Sequence, residues 1–167
     1  MNENQKQFLH DMIKDSLQLE QTEEPGQAFD KLMRGFESRF NLISGETQGE
    51  KSRSFLLQHL DAASVWKAFE GNARGINYFT EELSYAIRDR AEKNRLNRIA
   101  SNFQEAMSRK QKTDIGKCFS DLTLFLRNRR FHGYPDFSGR NIRVALSVKY
   151  LLALMRSVIQ NEITSNS

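Results

Sequence analysis

The sequence predicts an all-α protein, a compact bundle of five to seven helices, and three observations support this class. Apolar residues recur at intervals of three and four along most of the chain, which is the spacing of one helix face. The 167 residues include only 2 Pro and 9 Gly, too few for a β-sandwich with many tight turns. A hydrophobic fraction of 38%, with 12 Phe, supplies enough apolar bulk for one core. We therefore expect a single domain over residues 1–167.

The first half of the chain predicts three helices. The first runs from about residue 3 to residue 20 and ends before the Glu-Glu-Pro-Gly turn at 23–26. The second follows directly, and Ser44–Ser52 (SGETQGEKS) is then predicted to form a flexible loop. The third contains Phe55 and extends to Gly71. The apolar faces are formed by Phe8, Leu9, Met12, Ile13 and Leu17, by Phe29, Leu32, Met33, Phe36, Phe40 and Ile43, and by Phe55, Leu56, Leu60, Ala63, Trp66 and Phe69.

The middle of the chain leaves one question open. Residues 76–108 have the apolar spacing of either one long helix or two, with the charged segment 88–95 (RDRAEKNR) as an exposed middle. A break is expected near residues 109–114, where Asp114 can cap the next helix.

The end of the chain predicts two further helices. The first runs over about 114–133 and ends in a Gly, the residue type that best adopts the left-handed conformation at a helix C-terminus. Pro135 then prevents continuation. A closing helix follows over about 141–161, capped by Ser138 or Asn141.

The charge distribution marks the second half as the candidate for an anionic partner. Residues 1–73 carry 8 Lys and Arg against 12 Asp and Glu, a net charge of −4, and residues 74–167 carry 17 against 9, a net charge of +8, which sum to +4. Arg outnumbers Lys there by 12 to 5, and the planar fork of Arg suits phosphate recognition. The alternative is that these residues only solvate helix faces.

The sequence lacks the patterns that are typical of several classes of protein. It contains no apolar run long enough for a membrane span and no secretory signal, so we expect a cytoplasmic protein that does not contact a membrane. The single Cys118 excludes an internal disulfide and reads as a buried, inert thiol. No paired Cys, HExxH, P-loop or GxGxxG pattern is present, so we expect no metal and no cofactor.

One segment remains as the candidate for chemistry, RNRRFHG at 127–133. Arg127-Asn128, three residues, and His132-Gly133 resemble the R-N-x3-H motif of the HEPN domains. These are all-helical proteins, many of which are metal-independent ribonucleases of toxin–antitoxin, phage-defence and RNA-processing systems. The family carries its motif near the end of the penultimate core helix, before a loop and a final packing helix, and the predicted helices here have that order.

The bare spacing of Arg and His is not specific, because a second pair in the chain satisfies it. Arg53 and His59 have a permitted separation, but Ser54 follows Arg53 where the motif has Asn. The pair also lacks the following Gly and the family position. We therefore treat Arg53 and His59 as a decoy.

Physical chemistry gives each motif residue a role. His132, as an imidazole with an ordinary pKa of ~6.5, can take the 2′-hydroxyl proton or protonate the leaving 5′-oxygen near neutral pH. Arg127 can stabilise the charge that develops on the pentacoordinate phosphorane through bidentate hydrogen bonds. Asn128 precedes His132 by four residues and shares its helix face, so its amide can orient the imidazole or the phosphate.

The flanking residues suggest contacts with RNA. Arg129 and Arg130 add positive charge beside the motif and are expected to bind the RNA backbone, unless they are only solvated. Tyr134 can stack on a base, although packing of its loop against the core is the alternative.

The geometry of one helix raises a difficulty, since Arg127 and His132 lie ~140° apart with ~7.5 Å of rise. Three arrangements would resolve this difficulty. Either the helix loosens at His132, or the long Arg127 side chain reaches around the helix, or the two groups act across a dimer interface. The resemblance implies the last of these, with two copies of the motif facing one another in a cleft.

The resemblance implies a homodimeric, metal-independent endoribonuclease of the toxin or phage-defence type. Such an enzyme leaves a 2′,3′-cyclic phosphate, and a toxin of this kind would have a nucleotidyltransferase-like antitoxin as its partner. The first alternative is a HEPN domain that binds RNA or a protein without cleaving. The second is a helical adaptor whose basic half contacts a protein.

Overall fold

A computed structural model describes residues 1–22, 24–60, 87–131 and 142–166, and these residues form six α-helices and no strand. The described part of the chain thus confirms the prediction of an all-α bundle of five to seven helices. None of its helices has both the length and the apolar character needed to cross a membrane. The helices are α1 (Glu3–Gln21), α2 (Pro25–Phe40), α3 (Gln48–His59), α4 (Arg90–Arg109), α5 (Lys112–Phe131) and α6 (Ile142–Ser165).

The first two helices form an antiparallel hairpin. A capping box starts α1, in which Asn2 Oδ1 accepts a hydrogen bond from the Gln5 backbone N–H at 2.9 Å. Pro25 stands in the first turn of α2, where its missing N–H leaves no hydrogen bond unmade. The ion pair between Lys31 and Asp15, 2.9 Å long, joins the two helices. The predicted bounds of α1 agree with the observed ones to within one residue.

The loop predicted over Ser44–Ser52 is wrong in its second half. Helix α3 already begins at Gln48, because Thr47 and Glu50 form a capping box. The Glu50 backbone N–H donates to Thr47 Oγ1 at 3.2 Å, and the Thr47 N–H donates to the Glu50 carboxylate at 2.9 Å. These bonds lower the pKa of the Glu50 carboxyl, so the cap keeps its charge through the neutral range.

The third helix is also shorter than predicted. Leu60 adopts an extended conformation, with φ −81° and ψ 124°, so α3 ends at His59. A continuous helix from Phe55 to Gly71 is therefore wrong. Residues 61–71 lie outside the described residues.

The question left open for residues 76–108 is answered by the start of α4. Ile87, Arg88 and Asp89 are not helical, and Asp89 Oδ1 caps α4 by accepting from the Glu92 N–H at 2.8 Å. One continuous helix over 76–108 is therefore wrong. The charged segment 88–95 therefore contains the start of a helix, at Arg90, and is not the middle of a longer one.

The break predicted near 109–114 is confirmed, but its cap is not the predicted one. Lys110 adopts the left-handed conformation with φ 54° and ends α4. The Ile115 N–H already donates to the Gln111 carbonyl at 2.9 Å, so the first turn of α5 begins before Asp114. Asp114 therefore lies inside that turn, where its negative charge interacts favourably with the positive end of the helix dipole.

The motif-bearing helix begins at Lys112, two residues before the predicted 114, and the closing helix begins at Ile142, one residue after the predicted 141. Helix α5 is described as far as Phe131, and α6 ends four residues beyond the predicted 161. The predicted helix end at Gly133 and the predicted caps Ser138 and Asn141 lie outside the described residues.

One hydrophobic cluster takes residues from all six helices, and α5 lies between α3 and α4 within it. A Cβ at Gly116 would lie 3.0 Å from the Leu57 side chain, so α3 and α5 pack at close range. Cys118 is a buried free thiol, as predicted, and its burial together with the nearby carboxylates raises its pKa to about 11. The packing of α5 against α3 on one side and α4 on the other thus fixes the position of the motif.

Candidate functional site

The described motif residues lie at the C-terminal end of α5 and face different neighbours. Arg127 and Arg129 are two positions apart, so their directions differ by ~160° around the helix. Arg127 contacts α2, whereas Arg129 contacts α4. Asn128 lies between them and is exposed.

Arg127 is held by a carboxylate from a distant part of the chain. Its Nε donates to Glu37 Oε1 of α2 at 2.8 Å, and the two side chains are 34% and 27% exposed. An ion pair this open contributes about 0–1 kcal/mol to stability. The contact therefore fixes the direction of the guanidinium more than it stabilises the fold.

Asn128 adds a second contact to the same guanidinium. Arg127 Nη1 donates to Asn128 Oδ1 at 3.2 Å. An amide whose oxygen accepts from Arg127 can present its NH2 group, a donor, to a phosphate oxygen. The two residues thus form a patch of hydrogen-bond donors at the surface.

Arg129 is placed differently from what its predicted role suggests. Its side chain is only 9% exposed and forms an ion pair with Glu92 of α4, which is 43% exposed. This pair ties α5 to α4, and a contact with the RNA backbone would require it to open. The side chain of Arg130, and the whole of His132 and Tyr134, lie outside the described residues.

Sequence reasoning missed the two carboxylates that hold Arg127 and Arg129. Glu37 lies 90 positions from Arg127, and no spacing in the chain connects them. Glu92 falls in the charged segment 88–95, where neighbouring charges of both signs hide its partner. Only the folded structure, which brings the Glu37 side chain of α2 and the Glu92 side chain of α4 to the end of α5, identifies them.

The decoy residues lie in other contacts. Arg53 Nη2 forms an ion pair with Asp121 Oδ1 of α5 at 3.0 Å, with side chains 39% and 33% exposed. His59 belongs to a buried cluster with Glu162 of α6 and Arg39 of α2. Both residues serve to join helices.

The buried cluster is centred on the Glu162 carboxylate. One of its oxygens accepts from Arg39 Nε at 2.6 Å, and the other lies 2.6 Å from His59 Nε2. The three side chains are only 5% (Glu162), 14% (Arg39) and 9% (His59) exposed. Because the pair of Arg39 and Glu162 is already neutral as a whole, a further charge on His59 would be buried without compensation.

The contacts of His59 favour the neutral imidazole. Nε2 carries the proton that Glu162 accepts, whereas Nδ1 is buried and has no hydrogen-bond partner. A proton on Nδ1 would add a buried donor with no acceptor, which costs free energy. Burial therefore lowers the pKa of His59, and the positive charges of Arg39 and Lys112 act in the same direction against the attraction of Glu162.

This lowered pKa predicts a loss of stability in mild acid. Below pH ~6.5 the unfolded chain protonates His59 while the folded chain resists, so the free energy of unfolding falls as the pH decreases through that window. The substitution His59→Gln keeps an N–H donor for Glu162 but cannot titrate. We expect its unfolding free energy, measured in urea between about pH 7 and pH 5, to fall less than that of the wild type.

His10 provides the matched control for this measurement. It lies exposed on α1, so His10→Gln should retain the pH dependence of the wild type. An equal loss of stability in acid for His59→Gln and the wild type would show that folding does not lower the pKa of His59.

No protein-family model matches the chain, and no curated protein and no solved structure is significantly similar to it. Within the four described ranges, no three His, Cys, Asp or Glu side chains stand close enough together to hold a metal ion. The described geometry supplies a partly exposed guanidinium, oriented by a carboxylate and an amide, at the end of a core helix.

Proposed function

We propose that this chain is a metal-independent endoribonuclease whose site resembles that of the HEPN domains. In this proposal Arg127 and Asn128 bind the scissile phosphate and His132 transfers protons. The observation that supports it best is the state of Arg127, which is one-third exposed at the end of α5 and held in direction by Glu37. A group that must meet a developing charge gains from such prior orientation.

The reaction needs a base, an acid and fixed positive charge. The 2′-oxygen attacks the phosphorus, its proton leaves, the bond from phosphorus to the 5′-oxygen breaks, and the 5′-oxygen is protonated. The products are a 2′,3′-cyclic phosphate and a 5′-hydroxyl. The imidazole of His132 can give or take a proton near neutral pH, and Arg127 can neutralise the equatorial oxygens.

A symmetric dimer completes the proposed site. In a continued helix His132 would lie ~140° from Arg127 with ~7.5 Å of rise, so one copy aims the two groups at a single phosphate poorly. Two copies related by a two-fold axis can surround the phosphate with both groups. We place the isologous interface at about residues 127–137, and we assign the protein to the toxin or phage-defence type of effector, acting in the cytoplasm.

One observation favours a second candidate, a HEPN-type module that binds RNA or a protein without cleaving. The motif arginine Arg127 and the flanking Arg129 are both engaged in ion pairs, Arg127 with Glu37 and Arg129 with Glu92. A module that retained these residues to hold its helices together would have the same contacts. Activity without metal separates the two candidates.

We expect the purified protein to cleave single-stranded RNA in the presence of EDTA. Because the 2′-hydroxyl is the nucleophile, the fragments should end in a 2′,3′-cyclic phosphate, which end-group analysis on a denaturing gel detects. A DNA oligonucleotide of the same sequence lacks that hydroxyl and should remain intact. Cleavage only with added Mg²⁺, cleavage of the DNA, or no cleavage across varied RNAs would favour the binding module.

A further inference from the structure

The outer side of α4 carries a second feature suited to an anionic ligand. Four arginines are exposed there, one that precedes the N-cap Asp89 and three along the first half of the helix. We propose that these residues, which we call the arginine face, bind the phosphate backbone of single-stranded RNA and lead it to the motif end of α5. The choice of RNA rests on the proposed function. The arginine face consists of Arg88, Arg90, Arg95 and Arg98.

The arginine face follows from the helical period of α4. Arg90, Arg95 and Arg98 project within ~140° of one another, and Arg90 and Arg98 are separated by ~12 Å along the axis. The opposite side of the helix carries the buried apolar residues, among them Leu96 and Phe103. Arg90 and Arg98 therefore point away from the core, whereas the Arg95 guanidinium lies over the ring of Phe125 at the edge of the same face.

Three polar, uncharged residues lie on the same side of α4 as these arginines. Asn94, Asn97 and Ser101 are exposed on the same side, and their amide and hydroxyl groups can bind phosphate or sugar oxygens. Residues 88–104 contain five basic residues, Arg88, Arg90, Lys93, Arg95 and Arg98, and two acidic ones, Asp89 and Glu92.

The two acidic residues are already engaged in other contacts. Asp89 Oδ1 accepts the Glu92 backbone N–H at the start of the helix, and the Glu92 carboxylate pairs with Arg129. The acidic side chain next along the helix, Glu105, pairs with Arg109 within α4. Glu92 and Glu105 are neutralised by their partners, Asp89 keeps its charge, and the five basic against two acidic residues leave residues 88–104 with a net charge of +3.

The packing of α4 against α5 places this face beside the motif. The two helices are antiparallel, so the start of α4 lies next to the end of α5, where Glu92 reaches Arg129. One turn further along α4, the Arg95 guanidinium lies 5.7 Å from the centroid of the Phe125 ring. An RNA strand bound on the arginine face therefore needs to travel only across one helix to reach Arg127.

Charge and chemistry together favour RNA as the occupant. The basic half of the chain carries a net charge of +8, and Arg makes up 12 of its 17 basic residues. Guanidinium groups form bidentate hydrogen bonds with phosphate, and neutralising backbone phosphates releases counterions, which makes affinity depend on salt. A site that cleaves RNA needs such contacts at phosphates beyond the scissile one to hold its substrate.

The test uses the double substitution Arg90→Gln/Arg98→Gln. Arg95 is left in place because it also packs on the Phe125 ring. Every protein carries His132→Ala so that the RNA stays intact, and binding of a fluorescein-labelled single-stranded RNA is measured by anisotropy over a range of salt concentrations. The matched control is Lys14→Gln/Lys117→Gln, which removes the same charge from exposed positions on α1 and on the distant half of α5.

We expect the arginine variant to bind RNA about tenfold more weakly and the lysine control to change less than about twofold. The slope of log Kd against log salt should decrease by about 1.4, since each lost phosphate contact on a single strand removes about 0.7. Equal weakening in both variants, an unchanged slope, or no binding of RNA by the parent protein would overturn the proposal.

Two further outcomes separate this proposal from neighbouring ones. If RNA binding depends on Arg90 and Arg98 but the wild type cleaves nothing, the arginine face stands and the ribonuclease function fails. If the same substitutions abolish binding to vesicles that contain anionic lipid while RNA is not bound, the face recognises a membrane surface and the proposal is wrong.

Discussion

Replacing either Arg127 or His132 by Ala should lower the rate of RNA cleavage by at least ~10²-fold, the lower range for loss of a general acid–base or of a charge-stabilising group. Arg127 contributes little to folding, because its pair with Glu37 is partly exposed. The Arg127→Ala protein should therefore retain the helical circular dichroism and thermal midpoint of the wild type. Cleavage is measured on a labelled single-stranded RNA in EDTA.

Arg53 is the matched control for Arg127. Each is a partly exposed arginine, 39% for Arg53 and 34% for Arg127, and each pairs with a carboxylate on a neighbouring helix at 3.0 and 2.8 Å. Arg53→Ala should leave cleavage nearly unchanged. His10→Ala is the control for His132, since His59 belongs to the buried cluster. Equal losses at Arg53 and Arg127 would mean that both substitutions act through stability.

The same variants test the proposed dimer. A mixture of Arg127→Ala and His132→Ala proteins contains mixed dimers with one intact Arg127 and one intact His132, and these should recover part of the activity. Light scattering at micromolar concentration should give the mass of a dimer. A fully active monomer would contradict the composite site.

The substitution Glu162→Ala should give the largest loss of stability. It removes the carboxylate that holds Arg39 and His59 together and leaves a buried guanidinium without its counter-charge. Breaking a buried ion pair in this way costs about 3–5 kcal/mol of unfolding free energy. Urea denaturation near neutral pH, where His59 is uncharged, measures the effect.

The exposed pair of Glu105 and Arg109 provides the comparison for Glu162. Its side chains are 57% and 61% exposed, so Glu105→Ala should cost no more than about 0.5 kcal/mol. The loss of unfolding free energy in Glu162→Gln should lie between those of Glu162→Ala and Glu105→Ala, because the amide keeps the size of the carboxylate and part of its hydrogen bonding. If Glu162→Ala is no more destabilising than Glu105→Ala, the cluster does not hold α2, α3 and α6 together.

The helices could be predicted from the sequence because their apolar faces are long and regular. Phe29, Phe36 and Phe40 of α2 share one face and are all fully buried. The ends of helices depend on single side chains, and there the predictions were less accurate. The pattern Thr47-x-x-Glu50 is a capping box that could have been recognised, and so could Asp89 three residues before Glu92.

The contacts of the candidate site could not be predicted in the same way. The motif itself is local, so Arg127 and Asn128 could be selected from seven consecutive residues. Their surroundings are not local: Glu37 approaches from 90 positions away and Glu162 reaches Arg39 across 123 positions. Such pairs form only once the bundle has packed, and a single sequence contains no periodicity that reports them.

The short connection between α4 and α5 determines how α5 is rotated relative to α4, and thereby the geometry of the site at the other end of α5. Only Lys110 and Gln111 separate the two helices, and the left-handed Lys110 sets the angle at which the chain reverses. Arg127 lies ~24 Å from this turn along α5. One residue inserted at the turn would rotate α5 by ~100° relative to α4. That rotation would separate Arg129 from Glu92, so the alignment of the arginine face with the motif depends on the length of a turn at the opposite end of the hairpin.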